Sequence, residues 1–182
     1  VADVRHALKA SGLDAANLVI EITESTIMQN TEVNLERFRE LKALGVRLAI
    51  DDFGMGYSSL SYLHRFPIDI LKIDRAIVSR LTEHDGGPEL ARAVVMLATT
   101  LGLETVAEGI ENENQVETLL DLGCVAGQGF LFASSSPLDV VAQTPFMARR
   151  AELRAAERGA QADLTATGRF RAAELWPRSA AG

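Results

Sequence analysis

The hydrophobic residues follow two alternating patterns along the chain. Amphipathic stretches with apolar residues at helical spacing predict helices over residues 1–11, 31–44, 58–66, 76–81, 89–100 and 112–122. Short apolar runs rich in β-branched residues predict strands over residues 18–22, 46–51, 68–74, 103–107 and 124–130. Helical connections of ten or more residues favour parallel strands joined by right-handed crossovers. The pattern therefore predicts an α/β fold, either most of a (βα)8 barrel or an open doubly wound sheet.

Residues 48–60 combine an apolar run, two adjacent carboxylates and a glycine-rich loop. Aspartate oxygens are hard ligands that suit Mg²⁺, Mn²⁺ or Ca²⁺, so Asp51 and Asp52 are candidate ligands of one or two cations. Gly54 and Gly56 allow the backbone to pass close to a ligand. The alternative is ordinary loop chemistry, in which Asp51 ends the strand and Asp52 caps the following helix.

Each predicted strand also carries a polar side chain in or just beyond its apolar run. An ionised group in such a run costs several kcal/mol unless it is paired or bound to metal. The C-terminal ends of parallel barrel strands meet at one mouth, which brings these residues together. This pattern predicts a divalent-metal hydrolase with a lysine that holds an anion or a water; the alternative is a buried ion-pair network, such as Lys72 with Asp51. The residues are Glu21, Asp51, Asp52, Lys72, Glu108 and Gln128.

Composition narrows the class of protein. The 182 residues are 47% hydrophobic, with a mean hydropathy of +0.08, which predicts a globular chain. A net charge of −7 argues against binding of a nucleic-acid polymer. The single cysteine, Cys124, fits a reducing cytoplasmic setting, and no apolar run approaches the ~18 residues of a membrane span. The first residues show neither an initiator Met nor a signal peptide, so we expect a piece of a longer protein.

Five stretches resemble, in order, the successive motifs of the EAL domain. That family consists of bacterial cyclic di-GMP phosphodiesterases built on a modified TIM barrel. The resemblance runs from the first residues to about Leu138. The stretches are Glu21-Ile22-Thr23-Glu24, Asp51-Asp52-Phe53-Gly54-x-Gly56-Tyr57-Ser58-Ser59-Leu60, Leu71-Lys72-Ile73-Asp74, Glu104-Thr105-Val106-Ala107-Glu108-Gly109-Ile110-Glu111 and Gly127-Gln128-Gly129-Phe130.

The resemblance implies roles for individual residues and a substrate. It implies a site for two Mg²⁺ or Mn²⁺ ions and hydrolysis of cyclic di-GMP to linear pGpG. Glu108 would position or deprotonate the attacking water, and Lys72 would hold that water or a phosphate oxygen. Glu24 would stabilise the loop after Asp52, while Asp74, Glu111 and Gln128 would support the substrate and the metal ligands. The implied metal ligands are Glu21, Asp51, Asp52 and Glu108.

The same resemblance shows departures from the family pattern. The strands that supply the family's Glu-Ala-Leu and Asn ligands would precede residue 1, so we expect an incomplete barrel over residues 1–144, inactive by itself. Residues 145–182 are expected to form a helix and a disordered tail. Met55 and Ser135-Ser136-Pro137 differ from the usual Thr and Arg-Pro, which puts substrate affinity in doubt.

Two interpretations remain open. One is a phosphodiesterase domain of a longer parent, which could form homodimers or act with other signalling domains. The other is a non-catalytic module of the same family that binds cyclic di-GMP or a protein partner.

Overall fold

Five parallel strands form one sheet in which each strand pairs with the strand before it in the chain. The computed structural model describes residues 1–29, 31–54, 63–82, 86–124 and 126–134. The strands are Val19–Thr23 (β1), Arg47–Phe53 (β2), Ile70–Ile73 (β3), Glu104–Ala107 (β4) and Ala126–Gly127 (β5). The α-helices are Ala2–Ser11 (α1), Glu24–Met28 (α2), Thr31–Ala43 (α3), Arg75–Ser79 (α4), Gly87–Thr100 (α5) and Glu113–Asp121 (α6).

All five strands coincide with runs predicted from the hydrophobic pattern, although only β1 has the predicted length, and β3 and β4 are shorter than predicted. β2 continues two residues past the predicted end at Asp51, and β5 is only Ala126–Gly127 of the predicted residues 124–130. The pattern missed α2 and the 3-10 turn Ala15–Asn17, because segments of five and three residues are too short to show a helical period. Most of the predicted helix 58–66, and the whole tail 145–182, lie outside the described residues.

The two faces of the sheet differ in character because side chains alternate along a strand. One face packs into the main hydrophobic cluster together with helix residues such as Phe38, Val95 and Val116. Its strand residues are Ile22, Leu48, Ile50, Leu71, Ile73 and Ala107. The opposite face carries Glu21, Asp51 and Lys72. The sheet therefore separates a hydrophobic, helix-covered layer from a face with charged residues towards the strand ends.

Gln115 ties the start of α6 to α4. Its side chain is 4% exposed and completes a capping box with Asn112. Its Nε2 also donates to the carbonyl oxygen of Val78, at 3.2 Å. These contacts fix the loop between β4 and α6, and Glu108 is the first residue of that loop. Within the described ranges, every helix is too short or too polar to cross a bilayer.

Candidate active site

Three carboxylates from three different strand ends converge on the ammonium group of Lys72. The Nζ atom lies 2.7 Å from Glu21 Oε2, 2.9 Å from Asp51 Oδ1 and 2.5 Å from Glu108 Oε1. An ammonium has three N–H donors, and each of them has a carboxylate partner here. The Lys72 side chain is only 6% exposed, so the three carboxylates are what makes a buried charge tolerable at this position.

The strand register explains why these residues meet. Glu21 pairs with Ala49, and Asp51 lies two residues further along β2 on the same face. Lys72 pairs with Val106, and Glu108 comes two residues later, directly after β4. Period-two alternation and parallel pairing therefore direct all four side chains to one side of the sheet, near its C-terminal edge.

Asp51 and Asp52 lie at an irregularity in β2. Ile50 pairs with Leu71 and Phe53 with Ile73, so β2 holds one more residue than β3 between these pairs. Asp52 has φ 57°, and among the described residues it is the one non-glycine residue with positive φ. Its backbone N–H donates to Asp51 Oδ1 at 3.1 Å. A left-handed non-glycine residue costs about 1–3 kcal/mol, and such strain is concentrated at functional sites.

The electrostatic environment differs between Lys72 and Glu108. Burial lowers the pKa of Lys72, but hydrogen bonds with Glu108, Glu21 and Asp51 outweigh it and raise that pKa above its ordinary value. Burial raises the pKa of Glu108, and the neighbouring charges of Asp51 and Glu21 add to this effect. The hydrogen bond and the charge of Lys72 oppose these effects without cancelling them. Lys72 is thus held in its charged form, while Glu108 binds a proton more readily than an exposed glutamate.

Two further predicted residues contact this cluster or its loops. Gln128, directly after β5, donates from Nε2 to Glu108 Oε1 at 2.9 Å. Glu24 is 7% exposed, and its Oε2 accepts a hydrogen bond from the backbone N–H of Gly54 at 3.3 Å. Gln128 is therefore placed to orient a carboxylate, and Glu24 is bonded to the loop that follows Asp52.

The predicted residues Asp74 and Glu111 lie in the loops beside the cluster. Asp74 caps α4 by accepting from the N–H of Ala76 at 2.7 Å. Glu111 forms an ion pair with Arg75, at 2.6 Å between Nη2 and Oε1. Arg75 is not among the predicted site residues, although an arginine and a glutamate that follow neighbouring parallel strands indicate such a pair.

The residues present fit a divalent cation by chemistry and by charge. Within the described ranges, no three Asp, Glu, His or Cys side chains are placed to hold a metal ion as they stand. Lys72 instead lies among three carboxylates, and Asp52 adds a fourth close by in sequence. One ammonium leaves most of this negative charge uncompensated, and carboxylate oxygens are the ligands that hard divalent cations prefer.

Known proteins resemble this chain in both sequence and fold. The family model for the EAL domain matches residues 1–135. The chain is 43% identical over 138 residues to the cyclic di-GMP phosphodiesterase NbdA of Pseudomonas aeruginosa, covering 76% of this chain and 18% of that protein. It is 44% identical over 139 residues to the bifunctional diguanylate cyclase/cyclic di-GMP phosphodiesterase MucR of the same organism, covering 76% and 20%. The chain thus spans about a fifth of these curated relatives.

Solved structures share the fold. The phosphodiesterase of MucR in complex with c-di-GMP superposes with a TM-score of 0.73 at 43% identity, over 76% of this chain and 56% of that one. Klebsiella pneumoniae BlrP1, solved with manganese and c-di-GMP, superposes with a TM-score of 0.68 at 34% identity, over 73% and 34%. The likeness confirms the predicted barrel-type α/β fold and the predicted resemblance. This chain belongs to the EAL domain family.

Proposed function

We propose that this chain contributes to a metal-dependent phosphodiesterase that hydrolyses cyclic di-GMP to linear pGpG. The observation that carries the proposal is the convergence of Glu21, Asp51 and Glu108 on Lys72 at the C-terminal edge of the sheet. Support also comes from NbdA, a cyclic di-GMP phosphodiesterase by name, and from the MucR structure that contains c-di-GMP.

The proposed cofactors are two Mg²⁺ or Mn²⁺ ions, with Glu21, Asp51, Asp52 and Glu108 as their ligands. BlrP1 has been crystallised with manganese and with calcium, which supports a site for divalent cations. Bound metal would polarise the phosphate and lower the pKa of a coordinated water. The surplus of carboxylates over ammonium groups gives such ions a favourable electrostatic environment.

Lys72 and Glu108 have complementary roles in this proposal. The raised pKa of Lys72 keeps its ammonium charged at neutral pH. Once one of its three carboxylate partners turns to a metal ion, the ammonium can donate a hydrogen bond to a phosphate oxygen or to the attacking water. The raised pKa of Glu108 brings it closer to the working range of a general base that accepts a proton from that water. Gln128 holds the Glu108 carboxylate in one orientation through the hydrogen bond to Oε1.

A specific observation favours a second candidate function, a module that binds cyclic di-GMP or a protein partner without turnover. In the described part of the chain, Lys72 occupies the space among the three carboxylates, and no three acidic side chains are placed to hold a metal. The Lys72 ammonium offsets part of the negative charge of such a cluster without any metal ion. The two functions differ in one measurable property, which is formation of pGpG.

The test uses the full-length protein with cyclic di-GMP and excess Mn²⁺, with pGpG separated by chromatography. We expect linear product that disappears with EDTA and returns with Mn²⁺ or Mg²⁺. The test variant is Asp51→Asn, which is nearly isosteric and should keep the circular dichroism spectrum of the folded protein while product formation is lost. Tight binding of cyclic di-GMP without product at any metal concentration would instead establish the non-catalytic module.

We also propose a cellular location and an assembly for this protein. Cys124 is the single cysteine of the chain and is buried, which suits the reducing cytoplasm. The relatives are about five times longer than the matched region, and MucR combines two enzymatic activities. We infer that this chain acts together with other signalling domains or as a homodimer, and light scattering of the full-length protein would show which assembly forms.

A further inference from the structure

We propose that Arg75 is a positioning residue that holds residues 108–111 in place and thereby sets the position of the Glu108 carboxylate. The inference rests on the proposed function, because Glu108 is the proposed base and metal ligand. Arg75 itself is the first residue of α4, three residues after Lys72. It contacts the segment that carries Glu108 at two separate points.

The first point of contact is the backbone of Gly109. A Cβ atom added at Gly109 would lie 2.3 Å from Arg75 Cγ and 2.8 Å from its Cβ and Cδ. The aliphatic part of the arginine therefore packs directly on the residue that follows Glu108. Gly109 also has φ +67°, a conformation that side chains other than glycine rarely adopt. A larger residue at this position would displace either the arginine or the segment.

The second point of contact is the carboxylate of Glu111. Arg75 Nη2 lies 2.6 Å from Glu111 Oε1. Lys72 and Arg75 are three residues apart, and so are their partners Glu108 and Glu111. A cation in β3 and another just after it thus hold two carboxylates after β4 in the same order. Lys72 fixes the Glu108 side chain, and Arg75 fixes the backbone that carries it.

The elements around Arg75 make it a rigid support. Asp74 caps α4, and Ile77 and Val78 of that helix are buried. The segment is also held at both ends by backbone bonds, from Glu108 N to the Ile73 carbonyl at 3.0 Å and from Ile110 N to the Gln128 carbonyl at 3.1 Å. Arg75 therefore packs against the segment between these anchors.

The exposure of the Arg75–Glu111 ion pair distinguishes a positioning role in catalysis from a role in folding stability. The side chains of Arg75 and Glu111 are 62% and 47% exposed, and ion pairs of this kind add little to folding stability. Catalysis is more sensitive, because a displacement of about 1 Å at a reacting group can cost about 10²-fold in rate. Loss of Arg75 should therefore lower turnover far more than it lowers the melting temperature.

The test compares Arg75→Ala, Arg75→Met and Arg75→Lys in the full-length protein. We expect kcat to fall about 10- to 100-fold for Arg75→Ala, less for Arg75→Met, which keeps most of the stem, and least for Arg75→Lys. KM for cyclic di-GMP should stay within about 2-fold, because Arg75 is not proposed to touch the substrate. Mn²⁺ affinity, measured by titration calorimetry without substrate, should fall in the same order. The control is Glu32→Ala, which breaks another exposed arginine–glutamate pair, with Arg65 at 2.7 Å, and should change none of these quantities.

Gly109→Ala tests the contact with the arginine stem. In the native background the new methyl group meets Arg75 Cγ at 2.3 Å and its Cβ and Cδ at 2.8 Å, whereas in Arg75→Ala the contacts with Cγ and Cδ are gone and the one with Cβ remains. The double variant should therefore lose less activity and less Mn²⁺ affinity than the product of the two single losses. Independent, multiplicative losses would show that the contact does not set the position of the segment.

The readouts separate failure of this inference from failure of the proposed function. If the native protein forms no pGpG, the proposed function is wrong, and the order of Mn²⁺ affinities still decides the role of Arg75. Native kcat and native Mn²⁺ affinity in Arg75→Ala would overturn the inference. A raised KM with unchanged kcat would also overturn it, because Arg75 would then contact the substrate.

Discussion

Gln128 and Lys72 both contact the same oxygen of one carboxylate, Glu108 Oε1. Gln128 Nε2 lies 2.9 Å from that oxygen, and Lys72 Nζ lies 2.5 Å from it. One donor comes from β3 and the other from the residue after β5, so the glutamate between them is oriented from both neighbouring strands. This arrangement leads to the first prediction.

Gln128→Ala should move the acidic limb of the pH–rate profile to higher pH. A donor to a carboxylate favours its charged form, so loss of the amide should raise the pKa of Glu108 further. The base would then be deprotonated only at higher pH, and kcat/KM at neutral pH should fall. The measurement is kcat/KM across the pH range, with Gln128→Asn as the closest amide for comparison. An unshifted limb would show that Gln128 does not act on Glu108.

Lys72→Met should destabilise the metal-free protein by about 3 kcal/mol, because it leaves the carboxylates of Glu21, Asp51 and Glu108 without their common cation. Urea denaturation in EDTA would measure this loss. Mn²⁺ should restore part of the stability, since a divalent cation can replace the ammonium charge. Turnover should stay about 10²- to 10³-fold below native even with Mn²⁺. A variant with lowered stability and native kcat would mean that Lys72 serves only as the partner of a structural ion-pair network.

Asp52→Gly and Asp52→Ala should separate backbone strain from ligand chemistry. Asp52 has φ 57°, so glycine should relieve strain and raise the free energy of unfolding relative to alanine by about 1 kcal/mol. Both variants should lose Mn²⁺ affinity equally, since neither keeps a carboxylate. Chemical denaturation and metal titration would measure the two effects independently. Equal stability of the two variants would indicate that Asp52 leaves this conformation in solution.

Glu108→Gln should change how the stability of the metal-free protein depends on pH. The folded-state pKa of Glu108 is raised above the ordinary value of 4.5, so the folded chain binds this proton more tightly than the unfolded chain. The resulting stabilisation is fully present below pH 4.5 and is lost as pH rises through the folded-state pKa. From acid to neutral pH, the variant should therefore gain stability relative to the native protein. Urea denaturation in EDTA at several pH values tests this, and a constant difference would contradict it.

The convergence of charged residues could be predicted because it depends on regular features. Parallel strands with period-two alternation place Glu21, Asp51, Lys72 and Glu108 on one side of the sheet whatever the details of the loops. The sequence predicted an ion pair between Lys72 and Asp51 as the alternative to a metal site. The structure shows that pair within the cluster of candidate ligands.

Other features depend on contacts that a linear pattern does not contain. The extra residue of β2 near Asp52 is defined only by its pairing with β3. The packing of Arg75 on Gly109 joins the first residue of α4 to the loop after β4, and these two places are far apart in the chain. The extent of β5 is likewise defined by its pairing, of Ala126 with Val106 and of Gly127 with Ala107.

The pairing of each strand with its predecessor also implies an order of assembly during synthesis. Synthesis runs from the N-terminus at about 5–20 residues per second, so β1, β2 and β3 are available for pairing before β4 has been made. Pairing of these three strands brings Lys72 to Glu21 and Asp51, and the ammonium offsets half of the negative charge of the two carboxylates. Roughly 50 further residues, or about 3–10 s of translation, separate β3 from β5. Glu108 and Gln128 are thus the last members of the cluster to be synthesised. The nascent chain acquires its proposed base only after Lys72 and its first two carboxylate partners have been made.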